Sequence, residues 1–132
     1  MEELKIALAI TSYFLIIVAA ACEAIMDKLQ FHYDKSIFNN PKYKQEFWNP
    51  TLSWVNKWKD SSGREERFVG SSTIFVFTTD AWHLFKFFRT TALFIALPLL
   101  CFSFNHLIIE MIMARVAYGL TFTLYFDKIL KK

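Results

Sequence analysis

Glycine is nearly missing from this chain: Gly63, Gly70 and Gly119 are the only three, too few and too scattered to build a Gly-rich phosphate-binding loop. No nucleotide-binding class that needs such a loop fits. No Gly-x-Ser-x-Gly elbow or Ser/His/Asp arrangement occurs, which removes the hydrolases recognised by that turn. The two cysteines, Cys22 and Cys101, form no CxxC pair and sit inside apolar runs, so they read as packing residues. HExxH and a repeated HxxxH are also absent. No internal repeat of the kind that builds many transporters is found, so several copies would be needed to enclose a pathway.

Apolar residues are what the chain has in excess. Of its 132 residues, 55% are hydrophobic and 18% aromatic, with 15 Phe. A soluble domain of this size needs more polar cover than that composition leaves. The reading is a single membrane domain over residues 1–132, all-α, with about three transmembrane helices and a short interfacial helix in the first loop.

Residues 6–22 carry no charge, and a span over about 4–28 covers roughly 30 Å of hydrocarbon. A secretory signal would open on basic residues, whereas this one opens Met1-Glu2-Glu3 with Lys5 alone. Val18-Ala19-Ala20-Ala21-Cys22 loosely resembles a lipoprotein cleavage box with its aliphatic residue one position early. The segment is read as a permanent span. From Phe68 to Phe126 the chain is apolar again, and two further spans are expected at about 71–102 and 105–130, with the turn at Ser103 to Asn105. Pro98 either kinks the second helix or marks an earlier turn.

The loop at 29–70 is polar and aromatic together. Phe31, Tyr33, Phe38, Tyr43, Phe47, Trp48, Trp54 and Trp58 punctuate it, and Asn39-Asn40-Pro41 and Asn49-Pro50 are turn signals. A short helix is expected from Thr51 to Lys59, ended by Asp60-Ser61-Ser62-Gly63. Trp48, Trp54 and Trp58 are then membrane-interface anchors, as tryptophans flanked by lysines are at headgroup level. The competing reading is a small soluble cap with an aromatic core. Most of the basic residues lie in this loop (Lys28 to Arg67) or at Lys128, Lys131 and Lys132. The positive-inside rule therefore places loop and C-terminus in the cytoplasm and the N-terminus outside. A basic loop set among tryptophans points to membrane lipids as partners, and not to nucleic acid.

Ionisable residues inside the apolar segments are the candidates for function, because they are costly at membrane depth. Asp80 and His83 share a helix face (i, i+3), as do Glu23 and Asp27, and His106 and Glu110 (both i, i+4). Carboxylates with neutral imidazoles are ligands for zinc, iron or manganese, and Asp80-x-x-His83 has the spacing of Glu-x-x-His in di-metal bundles. Glu23, Asp27, Asp80 and His83 are the expected metal ligands, with His32, His106 and Glu110 as secondary candidates. Lys86 and Arg89 are the expected anion- or headgroup-binding residues. The topology puts His106 and Glu110 at the far end, which argues against one seven-residue cluster. Haem is a weaker alternative, since the chain offers one His per helix at unmatched depths.

The structural alternatives are concrete. Asp80 can pair with Lys86 or a loop cation, Lys86 and Arg89 can snorkel to lipid, and His106, Glu110 and Arg115 can form one ion pair. The leading functional expectation is a metal-binding membrane protein, a hydrolase of a phosphate-bearing lipid. A metal would lower the pKa of bound water there. Its rival is a non-catalytic accessory or scaffold subunit of a membrane complex, and an ion-conducting homo-oligomer comes third.

Overall fold

A computed structural model describes residues 1–103 and 106–131. It is all-helical: α1 (Glu2–Phe31), the short α2 (Gln45–Trp48) and α3 (Pro50–Ser53), α4 (Ala81–Ser103) and α5 (Leu107–Leu124). A π-helical turn, Tyr125–Ile129, continues α5. No strand forms among the described residues, only the isolated bridges Ser36–Lys131 and Trp58–Glu66. Three helices are long and apolar enough to cross a membrane, with mean hydropathies of 2.2, 1.6 and 1.3 in chain order. This is compatible with an integral membrane protein.

α1 carries Glu2 and Glu3 in its first turn and Lys28 in its last, so each charge suits the end of the helix dipole it occupies. Its packing face is built from small residues. Ser12, Ala19, Ala20 and Ala24 are fully buried, as is Ala96 of α4. Small side chains let two backbones approach closely, the usual way helices associate where apolar burial alone gives no preference. The Ser12 hydroxyl donates to the Ala96 carbonyl at 3.0 Å, which fixes the register of this pair. α1 packs along α4 and more lightly along α5, while α4 and α5 barely touch. Tyr13 meets Glu110 and Glu23 meets Tyr118, so α1 and α5 run parallel. Arg89 meets Glu23 and Ala96 meets Ser12, so α4 runs against α1. Pro98 lies inside α4 and does not end it.

Loop and C-terminus share one end of the bundle. Ile37 N–H donates to the Leu130 carbonyl at 3.3 Å. There Leu29, Phe38, Ala81 and Leu130 are buried in a common core with Trp48, Phe85 and Phe126 packed against it. Phe38 and Trp48 stack at 4.5 Å between ring centroids.

Two expected elements differ. The second span was expected to begin at Ser71, but α4 begins at Ala81, after turns and a 3₁₀ turn at Val76–Thr78. Local hydroxyls compete for the backbone here: Thr78 and Thr79 donate to the carbonyls of Phe75 and Val76 at 2.8 and 2.7 Å. The helix expected over Thr51 to Lys59 is shorter. Asn49 caps α3 by accepting from Thr51 N–H at 3.0 Å, a 3₁₀ turn at Trp54–Lys57 follows, and Trp58 is already extended. Lys59 N–H to the Glu65 carbonyl (2.9 Å) and Arg67 N–H to the Lys57 carbonyl (3.0 Å) fold the following chain into a hairpin. α4 is described as far as Ser103, and the turn expected on Phe104 and Asn105 falls outside the described residues.

Candidate functional site

Asp80 immediately precedes α4 and is 4% exposed. Its Oδ1 accepts from the His83 backbone N–H at 2.9 Å, which makes it the helix N-cap. Its Oδ2 lies 2.7 Å from His83 Nδ1 and 3.1 Å from the Thr79 hydroxyl, whose one proton is shared with the Val76 carbonyl. Burial pushes the Asp80 pKa up, but the His83 ring and backbone hydrogen bonds, the imidazole charge and the Thr79 hydroxyl outweigh it and hold the carboxyl below its usual range. An ionised carboxylate only accepts, so Nδ1 carries the proton and Nε2 is left to face other partners. Asn56 steadies this corner by donating to the carbonyls of Glu46 (2.7 Å) and Thr79 (2.9 Å).

Asp80 and His83 border an open cleft of about 270 Å³ lined also by Gln30, Ser53, Trp54, Lys57 and Trp82. The cation in the cleft is thus Lys57, and neither Lys86 nor Arg89 lines it. Lys86 places its ammonium 5.1 Å from the Trp82 ring centroid, a cation–π contact.

Glu23 sits elsewhere, about 13 Å along α4 from Asp80 by helix rise, at the level of Arg89. Its Oε1 accepts from Arg89 Nη1 at 3.0 Å and its Oε2 from the Tyr118 hydroxyl. One carboxylate therefore ties α1, α4 and α5 together. Arg89 Nε is buried without a partner. A second tie lies nearer the other end, where the Tyr13 hydroxyl donates to Glu110 Oε2 at 2.6 Å.

The four expected metal ligands are therefore not brought together. Asp80 and His83 meet each other, Glu23 is engaged with Arg89 and Tyr118, and Asp27 is half-buried one turn beyond Glu23. Among the described residues no group of three or more His, Cys, Asp or Glu side chains could hold a metal ion. The secondary candidates are scattered as well. His32 is exposed with its ring edge-on to Phe126 at 5.4 Å, His106 is exposed, and Glu110 is bonded to Tyr13. Arg115 does not join Glu110. Of the expected anchors, Trp48 is half-buried in the aromatic core, Trp58 is half-buried in the hairpin, and Trp54 is 44% exposed.

Tyr13, Tyr118, Ser12 and Asn56 complete these arrangements and were not singled out from sequence. A hydroxyl inside an apolar run was the available signal for the first three, and Asn56 gave none. The chain matches no protein-family model, and no curated protein and no solved structure is significantly similar to it.

Proposed function

We propose that this chain is a small polytopic membrane protein serving as a non-catalytic accessory or scaffold subunit of a membrane complex. The observation that carries this reading is how its carboxylates are used. Asp80 caps α4, Glu23 joins three helices, and Glu110 joins two. Acids committed to helix packing are poor ligands for a metal or substrate, because binding one would cost those interhelical contacts. The basic cap and C-terminus fit the cytoplasmic face and the N-terminus the outside, by the positive-inside rule. At that face the exposed apolar side chains of Phe68, Val69, Ile74 and Phe75, with Trp54, offer membrane lipids a contact surface.

The test is elemental analysis of the detergent-purified protein beside Asp80→Ala and His83→Ala. The accessory reading expects no zinc, iron or manganese, even after each ion is offered, and weaker folding in Asp80→Ala. Near-stoichiometric metal in the parent, lost in both variants, would overturn it.

One observation favours a second reading, hydrolysis of a phosphate-bearing lipid. His83, oriented by Asp80, borders a cleft with Lys57, so an imidazole base and an anion-binding ammonium share one opening. Phospholipid and isoprenoid-phosphate turnover by the parent, abolished in His83→Ala and Lys57→Ala, would support it. No turnover at any pH from 5 to 9 would end it.

A further inference from the structure

Resting on the accessory-subunit reading, we propose that the groove between α4 and α5 docks a transmembrane helix of another protein, one carrying a carboxylate at mid-depth that pairs with Arg115. Arg115 is exposed on α5 and has no hydrogen bond or ion pair among the described residues. Its Nη1 lies 3.4 Å from where a Cβ on Gly119 would sit, so the guanidinium extends along the helix. Arg115 lies between Glu110 and Tyr118, which meet Tyr13 and Glu23, so it is level with the middle of α1 (Glu2–Phe31). Beside it runs an apolar groove of about 380 Å³ lined by Ile16, Leu97, Leu100, Met111 and Ala114. The groove is open because α4 and α5 each pack on α1 and barely on each other.

A cation at the centre of a span is costly to leave facing hydrocarbon, so this position calls for a counter-charge. Lipid offers acyl chain at that depth, with its phosphates at the helix ends. A second copy of the chain offers no matching acid at that depth, since Glu23 is bound to Arg89 and Tyr118, Glu110 to Tyr13 through Oε2, and Asp27 and Asp80 lie toward the ends of α1 and α4. The complementary surface is therefore an apolar helix of a different chain with a central Glu or Asp, and a guanidinium–carboxylate contact in a dry groove is a strong one.

The experiment uses the full-length protein in phosphatidylcholine vesicles with labelled leucine-rich transmembrane peptides bearing Glu, Gln or Leu at the centre, read by energy transfer. The Glu peptide is expected to bind about tenfold more tightly than the Leu peptide. Arg115→Leu should abolish that preference and Arg115→Lys should keep part of it. Leu97→Trp, which fills the groove and leaves the charge, should weaken all three peptides and guards against a fold defect in the Arg115 variants. Equal binding of the three peptides by the parent overturns the proposal, as does a Glu preference that survives Arg115→Leu. Loss of the preference on adding phosphatidylglycerol assigns Arg115 to lipid headgroups, and self-association abolished by Arg115→Leu assigns it to a second copy; either overturns it. If the peptides fail while the protein stays metal-free, this inference falls alone; bound metal lost in Asp80→Ala and His83→Ala removes the accessory reading itself.

Discussion

Glu23→Ala removes the carboxylate on which α1, α4 and α5 meet. Two interhelical hydrogen bonds go with it, each about 0.6 kcal/mol on average and up to about 1.7 in membrane proteins. Arg89 is then left unpaired, and an unpaired arginine at the centre of a span costs about 2.5–3.5 kcal/mol on insertion scales. Glu23 and Arg89 side chains are 31% and 29% exposed, so part of that cost is relieved by water or snorkelling. The expected loss is about 2–4 kcal/mol, while Tyr118→Phe, which removes one bond, should lose about 0.6–1 kcal/mol. Glu23→Leu with Arg89→Leu should recover most of the loss, since replacing both members of a buried pair by apolar groups is often neutral. The assay is equilibrium unfolding in mixed micelles, followed by far-ultraviolet circular dichroism, on Glu23→Leu, Arg89→Leu and their double, with Glu23→Ala and Tyr118→Phe beside them. Single variants within about 0.5 kcal/mol of the parent, with a coupling energy no larger, would refute the claim that this knot holds the bundle.

Asp80 gives a pH prediction. Its folded pKa lies below the ordinary value near 4, so its contribution is complete above that value and is lost as pH falls further through the folded pKa. Unfolding measured from pH 6 to 3 should show the parent losing stability below about 4, and Asp80→Ala, about 0.5–2 kcal/mol weaker from its lost cap, should lose less on the way down; a variant as acid-sensitive as the parent contradicts this. Gly70 has φ of +80° and an added Cβ would meet Phe75 Cδ2 at 3.0 Å, so Gly70→Ala should cost about 1–2 kcal/mol. Gly119 is helical and a Cβ there meets only Arg115 Nη1, at 3.4 Å, so Gly119→Ala should be neutral or stabilising by up to about 1 kcal/mol. Thermal unfolding of the two variants side by side decides it, and the reverse order would count against both. Val69 is 90% and Ile74 74% exposed at the cap. Replacing both with Asp should leave folding intact and reduce the quenching of cap tryptophans by brominated lipids; unchanged quenching would place that segment away from the membrane.

The three long helices were legible because predominantly apolar runs of span length need no partner to be recognised. The start of α4 was not, since the apolar residues Ile74, Phe75, Val76 and Phe77 mimic a span, while Thr78, Thr79 and Asp80 spend their side chains on local backbone groups. Asp80 and His83 were found together because three-residue spacing on a helix is a local property. The partner of Glu23 was missed for the opposite reason. Asp27 is its neighbour in sequence, but Arg89 and Tyr118 come from two other helices, brought level with it by the small-residue packing of α1 on α4. A carboxylate in an apolar run announces that it has a partner, and only the register between helices says which. Arg115 extends that reasoning to the outside of the bundle: Glu23 and Glu110, the acids nearest its depth, already have partners within the bundle, so a cation left unpaired there belongs to an interface the chain cannot complete alone.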